Sequence, residues 1–469
     1  MKKLVVAALA LLCASVQAQT QNVSSEELAR RAVQRRAVEA AIWGMPIVAM
    51  DAVRQGFLRD MNAKYNDIVY YAKLPDWKFQ TTTPNASTHY FYSAYSTKDG
   101  PIVFDVPAAV GAGLYGQICD IWDAPLAVVG PGGEDKGQGA KYLILPPDYK
   151  GDVPAGYISV RQQTFGGFWL MRTIPNSAAQ ADIDNAIALI KKFRMYPLSV
   201  AGSQPQQRFI DASDKIWDGI PRMDETFYAV LSKMLNEEPV LERDLAVMNM
   251  LRSVGIEKGK EFKPDPATTA TLRAAVIEAK AYLINLQRAA SVPYWDGARW
   301  SLPDASGIKT QFTYLSADML DYDGRGMLNF FAWGPPMKQD ASAPSIYLQT
   351  LSDSSGKPFN GDTAYRLRVP PNVPARQYWS ITLYDMDTAG FLREASVISL
   401  DSYNQKTKKN PDGSVDIYFA PQAPAGMENN WVTTIKGREW FPIFRLYGPD
   451  KAFFDKTWKL PDFEKVSAQ

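Results

Sequence analysis

Apolar residues recur at helical spacing near the beginning of the chain. Ser24 followed three positions later by Glu27 is typical of a helix N-terminus, because the two side chains can cap backbone N–H groups reciprocally. The apolar face that follows consists of Ala29, Val33, Ala37 and Ala40. Gly44 and Pro46 in "WGMP" then predict that the helix ends near Ile42, since both residue types disfavour a helix interior.

Short runs of β-branched and aromatic residues dominate residues 67–172. The runs "THYFYSAY", "PIVFDVP" and "KYLILPP" are separated by Gly, Pro and Asn, which predicts antiparallel β sheet. Helical spacing returns at 180–195 and again within 207–290. From residue 311 onward β patterning resumes, in runs such as "YWSITLYD" and "FPIFRLYG".

This order of elements predicts a mainly β fold with helical segments (α+β), in which two β-sandwich-like, jelly-roll-like units are joined by a helical connector. The predicted segments are a signal peptide at 1–18, an N-terminal helical segment at 19–66, an N-terminal β domain at 67–200, the helical connector at 201–300 and a C-terminal β domain at 301–469.

The first 18 residues have the pattern of a secretory signal. Lys2 and Lys3 precede an apolar stretch at 4–12, and a small-x-small sequence predicts cleavage after Ala18. The apolar stretch is too short to span a bilayer, and no later segment is long and apolar enough to do so. The sequence therefore predicts a soluble periplasmic or secreted protein without a membrane span.

Charge and residue counts narrow the chemistry. The formal net charge is +1 for the 469 residues and −1 once residues 1–18 are removed, so no charge excess favours nucleic acid as a partner. The chain has one histidine, His89, which excludes a zinc site with two imidazoles. Cys119 is the only cysteine after residue 18, so no intrachain disulfide forms. We expect no metal and no cofactor.

The glycine- and lysine-rich stretch "GPGGEDKGQGAK" does not have the spacing of a phosphate-binding loop. It lacks G-x-x-x-x-G-K-[S/T], and a strand rather than a helix follows it. A loop before a strand is the favoured interpretation, although Lys141 at its end is retained as a ligand-binding candidate.

The segment "TTTPNASTHYFYSAY" is the strongest polar motif of the N-terminal half. Thr83, Asn85 and His89 could converge at the rim of a sheet and bind a polar ligand. The alternative is an Asn/Ser turn that bonds its own backbone, followed by a structural histidine.

Acidic, basic and aromatic residues near strand ends supply the other candidates. Asp120 and Asp385 could perform general acid/base chemistry together with Arg445, and His89 could act as a base. The ligand-binding candidates of this group are Trp122, Tyr384, Arg438 and Trp440. Turn capping by the acids and surface pairing of the arginines are the alternatives. The run "NPDGSVD" alternates oxygen side chains as a calcium loop does, but an Asp-Gly turn is favoured.

Two regions resemble known families. The motifs "TTPNASTHYFYSAY" and "KYLILPPDYKGDVPAGYISV" resemble domain of unknown function 1254, and "YWSITLYDMDTAGFL" with "WFPIFRLYGPDKAFFDKTWKLPDFEKV" resembles domain of unknown function 1214. The resemblance implies two β-sandwich-like units with helices around them and implies no specific reaction. Two places depart from the family pattern. Ser87 stands where an Asp is usual, and Ala389-Gly390 stand where the family usually has part of an N-x-T-R-S motif.

Three functions remain open from the sequence. The first is binding of a polar small molecule or a carbohydrate in a pocket lined by aromatic, Arg and Asn side chains. The second is a hydrolase or lyase that uses carboxylate and arginine chemistry or His89. The third is an oligomeric structural or assembly protein, in which the chain forms a homo-oligomer.

Overall fold

A computed structural model describes residues 23–203, 205–302, 307, 309–334, 343 and 345–466 of the chain. The predicted signal peptide lies outside these residues. The described chain folds into several β sheets with helices around them, which confirms the mainly β class. The jelly-roll-like character of the two units stays a prediction.

The first helix, α1, spans Ser25–Gln55 and continues as a short π-helical segment, Gly56–Asp60. The Ser24 side chain accepts a hydrogen bond from the Glu27 backbone N–H at 3.1 Å, as its cap position predicts. The predicted end near residue 42 is wrong, because the helix continues through "WGMP" for more than three further turns.

Helix packing explains why glycine and proline are tolerated inside α1. Pro46 has no N–H to donate to the Ile42 carbonyl, and that carbonyl faces Gly326, where a Cβ atom would lie only 2.5 Å from the oxygen. A Cβ atom at Gly44 would lie 2.8 Å from Leu231 Cδ1. The absence of a side chain at Gly44 and at Gly326 thus permits close contact between α1 and its neighbouring helices. Burial of the surrounding side chains outweighs the poor helix propensity of Gly44 and Pro46.

Among the described residues, twelve strands and one α-helix follow α1 in the N-terminal half. They are β1 Ile68–Tyr70, β2 Phe79–Gln80, β3 His89–Ser96, β4 Ile102–Val106, β5 Gly113–Asp120, β6 Pro125–Val129, β7 Ala140–Leu145, β8 Tyr157–Arg161, β9 Gly166–Ile174, helix α2 Gln180–Ile190, β10 Arg194–Pro197, β11 Phe209–Asp211 and β12 Trp217–Asp218. Helix α2 ends before the predicted residue 195, because residues 194–197 pair with β4 instead.

These strands form a six-stranded sheet in the order β11-β1-β3-β9-β5-β6, a four-stranded sheet β10-β4-β7-β8, and the pair β12-β2. Most neighbours are antiparallel, as predicted. The pairs β1–β11, β2–β12 and β7–β8 are parallel, which residue composition alone does not reveal. The two larger sheets share one core, in which the rings of Phe104 and Trp169 stack at 4.5 Å.

Three helices then pack around α1. They are α3 Thr226–Glu237, α4 Leu245–Leu251 and α5 Pro266–Ala290. Helix α5 lies along α1 through the buried residues Leu272, Val276, Ala279 and Leu283. None of the helices in the part of the chain that the structure describes is long and apolar enough to cross a membrane.

The C-terminal half contains the remaining elements. They are α6 Tyr322–Phe331, β13 Ser345–Gln349, β14 Phe359–Asn360, β15 Tyr365–Val369, β16 Ala375–Asp385, β17 Ser399–Asp401, β18 Val415–Ala420, β19 Trp431–Thr433, β20 Glu439–Pro449, α7 Lys451–Phe454 and β21 Glu464–Lys465. The predicted Asp-Gly turn before β18 is present, with Gly413 at φ 83°.

The C-terminal strands form a five-stranded sheet, β13-β20-β16-β17 with β14 also on β20, and a four-stranded sheet β19-β18-β15-β21. Trp379, Ile381 and Leu383 of β16 point into the core that the two sheets share. This core is continuous with the one around α1, so the two halves of the protein bury apolar surface together. The five predicted segment boundaries stay a prediction.

Candidate functional site

One face of the five-stranded C-terminal sheet is polar. Because alternate residues of a strand point to opposite faces, the residues between the core positions share this second face. The polar residues that line its centre are Tyr347 on β13, Arg445 and Tyr447 on β20, and Tyr378, Ser380, Thr382 and Tyr384 on β16, and Phe441 and Ile443 of β20 share this face. The strand register places Arg445 between Tyr347 on one side and Ser380 on the other. A guanidinium therefore occupies the middle of this face.

A loop from the N-terminal half lies on the polar face. We call residues 81–87, which connect β2 to β3, the covering loop. Tyr384 Oη donates a hydrogen bond to the Pro84 carbonyl oxygen at 2.5 Å. Asn85 Nδ2 donates to Tyr447 Oη. The covering loop is thus held on the C-terminal sheet by tyrosine hydroxyls, and the two halves of the protein meet there.

Of the two departures from the family pattern, Ser87 belongs to the covering loop and Ala389 contacts it. Ser87 Oγ donates to Asn85 Oδ1 at 2.8 Å and lies 3.3 Å from Ser380 Oγ. On the other side, the Thr83 N–H donates to the Ala389 carbonyl oxygen at 2.7 Å. Thr83 has φ 40°, a left-handed conformation that is unfavourable for a β-branched residue. The surrounding contacts therefore hold the loop in a strained conformation, which is frequent at functional sites.

Arg445 is buried without an anionic partner. Only 1% of the surface of Arg445 is exposed to solvent. Nη2 donates to Tyr384 Oη at 2.6 Å and to the Thr83 carbonyl oxygen at 3.4 Å, whereas Nε and Nη1 have no acceptor among the described residues. Cζ lies 4.9 Å from the ring centroid of Tyr347. Burial lowers the pKa of Arg445, but the neighbouring tyrosines raise it by more than burial lowers it. The net pKa is therefore above the ordinary value, and the guanidinium is charged.

A second guanidinium approaches from the N-terminal sheet. Arg172 Nη1 donates to Tyr347 Oη at 2.8 Å, and its Cζ lies 5.6 Å from the ring centroid of Tyr90. Its main electrostatic neighbours are tyrosines rather than carboxylates. Arg172, Tyr90 and Tyr347 are only partly buried, whereas Arg445 is fully buried. We call the following set the arginine–tyrosine cluster: Arg172, Arg445, Tyr90, Tyr347, Tyr384 and Tyr447.

Two tyrosines of the cluster, Tyr347 and Tyr384, have pKa values shifted in opposite directions. Burial raises the pKa of Tyr347, but the positive charges of Arg172 and Arg445 outweigh it and lower the pKa to about 8. Burial also raises the pKa of Tyr384, and there it prevails, so that the pKa is about 12 despite Arg445. The Tyr384 proton is already donated to a backbone carbonyl, which favours the neutral phenol.

His89 lies outside the cluster. It neighbours Tyr90 in β3 and therefore points to the opposite face of the sheet. Its Nδ1 lies 3.1 Å from the Tyr71 carbonyl oxygen, and burial lowers the pKa of the imidazole. These contacts are those of a structural histidine.

Asp120 and Trp122 lie at a different place, in the turn after β5. Asp120 Oδ1 accepts hydrogen bonds from the backbone N–H groups of Trp122 and Ala124 at 2.8 and 2.9 Å. The Trp122 ring packs 4.9 Å from Trp43 of α1 and 5.0 Å from the guanidinium of Arg325 in α6. Asp120 thus caps a turn between the sheet and the helices.

Asp385 and Trp440 lie on the core side of the C-terminal sheet, and the half-exposed Arg438 lies beside Asp385 just before β20. Arg438 Nη1 is 3.5 Å from Asp385 Oδ2. The Trp440 ring stacks on Phe359 at 4.3 Å and is 1% exposed. No hydrogen bond or ion pair among the described residues links Asp120, Asp385 and Arg445, so the three do not form one acid/base cluster.

Lys141 lies in β7, opposite Asp105, in the four-stranded N-terminal sheet. The glycine-rich loop before it is closed by Asp135, which accepts from the Gly130 N–H at 2.8 Å and from Tyr142 Oη at 2.9 Å. This loop has the role of a turn between strands, which was its favoured interpretation.

The structure therefore brings together four of the eleven residues that sequence reasoning selected: Thr83, Asn85, Tyr384 and Arg445. Sequence reasoning missed the rest of the cluster, above all Arg172 and Tyr347. The available signal was the alternation in "YWSITLYD", where Tyr378, Ser380, Thr382 and Tyr384 share one face. This alternation marks a face that carries several hydroxyl groups.

A second concave region lies between α1, α3 and the turn after β16. It is a groove of about 460 Å³. Its charged side chains neutralise one another, since Lys280 pairs with Asp387 and Arg393 Nη2 lies 3.3 Å from Asp218 Oδ1. Because these charges already have protein partners, the groove is a weaker candidate for a charged ligand than the cluster.

Comparison with known proteins agrees with this architecture. Residues 65–197 match the model of DUF1254 and residues 344–451 match that of DUF1214, both described as proteins of unknown function. No curated protein matches the chain.

Two solved structures match the chain, and the first of them is similar in fold. The VPA0106 protein from Vibrio parahaemolyticus is 17% identical, with a TM-score of 0.53 over 93% of this chain and 100% of that one. An uncharacterized protein from Burkholderia cenocepacia is 11% identical, with a TM-score of 0.40 over 93% of this chain and 94% of the other. Because both family models match in this order, the chain belongs to the family of proteins in which a DUF1254 domain precedes a DUF1214 domain.

Proposed function

We propose that this protein binds a small anionic molecule, of the carboxylate class, at the arginine–tyrosine cluster. The observation that carries the proposal is the buried guanidinium of Arg445, whose Nε and Nη1 have no acceptor among the described residues. Burying an unpaired charge costs several kcal/mol, about 3–5 when one partner of a pair is missing. A bound carboxylate would supply the missing charge-assisted hydrogen bonds.

The remaining polar groups favour a ligand with hydroxyl groups or an aromatic ring beside its carboxylate. Tyr90 and Tyr347 are partly exposed and present both ring surface and hydroxyl groups. Carbohydrate acids and small aromatic acids meet these requirements. We place the function in the periplasm or outside the cell, on the strength of the signal peptide that the sequence predicts.

A thermal-shift titration of residues 19–469 tests the proposal. The probes are benzoate, glucuronate, acetate and inorganic phosphate, with glucose and benzyl alcohol as neutral controls. We expect at least one carboxylate to raise Tm in a saturable manner, because a ligand that binds only the folded state stabilises it. If no carboxylate raises Tm more than its neutral control does, anion binding at the cluster is wrong.

The affinity for the anion should fall as the pH rises through about 8. Below this pH Tyr347 is neutral and the cluster has two positive charges; above it the phenolate cancels one of them. Because one opposing charge acts at a distance of a few ångströms, we expect the dissociation constant to rise on the order of tenfold. Calorimetric titrations with benzoate on both sides of this pH measure the effect. In Tyr347→Phe the affinity should be independent of pH over this range; an unchanged or rising affinity in the wild type would contradict the prediction.

A further inference from the structure

We infer that Tyr347 accepts a proton from a substrate bound at the arginine–tyrosine cluster, and that the protein is therefore an enzyme acting on small carboxylates with a C–H bond next to the carboxyl group. The inference rests on the proposed anion binding and deepens it, because it adds a chemical step at the same site.

The hydrogen bonds of the cluster single out Tyr347 among its tyrosines. Tyr347 Oη accepts a hydrogen bond from Arg172 Nη1 at 2.8 Å, which stabilises the phenolate form. In contrast, Tyr384 Oη donates its proton to the Pro84 carbonyl, and Tyr378 Oη donates to the Ser87 carbonyl at 3.0 Å. Tyr384 Oη also accepts from a guanidinium, Arg445 Nη2 at 2.6 Å, but its own proton is held by the Pro84 carbonyl. Of these three hydroxyls, Tyr347 is thus the one that a guanidinium prepares to act as a base.

The position of Tyr347 also suits proton transfer. Arg172 reaches it from the N-terminal sheet and Arg445 from the neighbouring strand of its own sheet, so the ring lies between two positive charges. The side chain is partly exposed, whereas Arg445 beside it is fully buried. A carboxylate bound to Arg445 would therefore have its adjacent carbon near the accessible part of Tyr347.

The charges around Tyr347 agree with this role. The titratable groups that face it are Arg172, Arg445, Tyr90, Tyr378 and Tyr447. The two arginines lower its pKa to about 8, close to the pH at which a general base is most effective. By linkage, a bound anion raises this pKa, so that the phenolate is a stronger base when substrate is present but a smaller fraction of Tyr347 is ionised at a given pH.

The step is a balanced proton transfer. The C–H bond next to the carboxyl group breaks and the O–H bond of Tyr347 forms. The electron pair stays on the substrate as an enediolate, whose second negative charge lies against the guanidinium of Arg445. The phenol then returns the proton to the other face of the planar carbon, so that the net reaction inverts this carbon and no other reactant is consumed.

A spectrophotometric pH titration at the tyrosinate band tests the state of Tyr347 without any substrate. We expect the difference between the wild type and Tyr347→Phe to be one tyrosine that ionises at about pH 8, earlier than most of the 23 tyrosines. In Tyr418→Phe, a matched control in the four-stranded C-terminal sheet, the early ionisation should persist. Arg172→Met should move it to higher pH. If Tyr347→Phe and the wild type have the same early part of the titration, the inference is wrong.

A carbon-acid probe tests the base itself. In 5-nitrobenzisoxazole, loss of the ring C–H proton breaks the N–O bond and releases a coloured cyanophenolate, so that a base in an apolar site is measured without the natural substrate. We expect a rate that rises with pH to a plateau above about 8 and falls at least about tenfold in Tyr347→Phe but not in Tyr418→Phe. No rate above that of the buffer, or an unchanged rate in Tyr347→Phe, would overturn the inference.

The two proposals fail separately. Anion binding without an early-ionising, reactive Tyr347 removes the inference and leaves the proposed function. A reactive Tyr347 in a protein that binds none of the carboxylate probes removes the proposed function and, with it, the substrate class assigned here.

Discussion

Replacing Arg445 by methionine is expected to abolish carboxylate binding while leaving the ligand-free protein at least as stable as the wild type. The guanidinium is fully buried and lacks an anionic partner, so its removal relieves a desolvation penalty that offsets the loss of its hydrogen bonds to Tyr384 and Thr83, and methionine fills a similar volume. A bound carboxylate would lose charge-assisted hydrogen bonds of about 3 kcal/mol, which weakens binding on the order of 100-fold.

Denaturant unfolding of Arg445→Met with and without benzoate measures both effects. The matched control is Arg438→Met, which removes a half-exposed arginine paired with Asp385 and should keep the benzoate response. If Arg445→Met instead loses 3 kcal/mol or more of unfolding free energy while the wild type does not respond to any carboxylate, Arg445 has a structural role and the proposed function is wrong.

Truncating Trp440 to alanine should have the largest effect on stability. Its ring stacks on Phe359 at 4.3 Å and packs against Tyr365, Phe419 and Phe463 in the C-terminal core. Removing a buried tryptophan leaves a cavity and costs about 3–5 kcal/mol. We therefore expect a much lower Tm for Trp440→Ala and a smaller loss for Trp440→Phe, which keeps an aromatic ring.

The same variants decide whether Trp440 contacts ligand, as sequence reasoning proposed. We expect the folded fraction of Trp440→Phe to bind benzoate as the wild type does, because the ring points to the core side of the sheet and Arg445 to the other. A Trp440→Ala protein with unchanged Tm and no benzoate binding would assign the residue to the ligand site instead of the core.

One departure from the family pattern bears on the proposed anion site. The resemblance implies an aspartate at position 87, where this chain has a serine that contacts Asn85 and lies beside Ser380. A carboxylate there would add a negative charge at the edge of the polar face. A serine at this position lacks that charge, which is compatible with the anionic ligand proposed above.

Several features of the protein follow from the sequence by itself. The mainly β class with helices, the turn at "NPDGSVD" and the family membership depend on periodicity and on motifs of consecutive residues, which local physics decides. The glycine and lysine spacing after Gly130 likewise does not fit a phosphate-binding loop, which left a turn before a strand as the interpretation. The alternation in "YWSITLYD" shows that one face of β16 is polar, although it does not show what lies against that face.

The tertiary structure decided what local patterns do not encode. Helix α1 continues through Pro46 because Gly326 and Leu231, far along the chain, pack against it closely. Arg172 and Tyr347 are 175 positions apart and meet through the packing of one sheet against the other. Periodicity tells which face of a strand is buried, but the partner of that face depends on strand order and on the covering loop. For this reason the sequence selected Arg445 and Asn85 separately, and only the fold joined them with Arg172 and Tyr347 in one cluster.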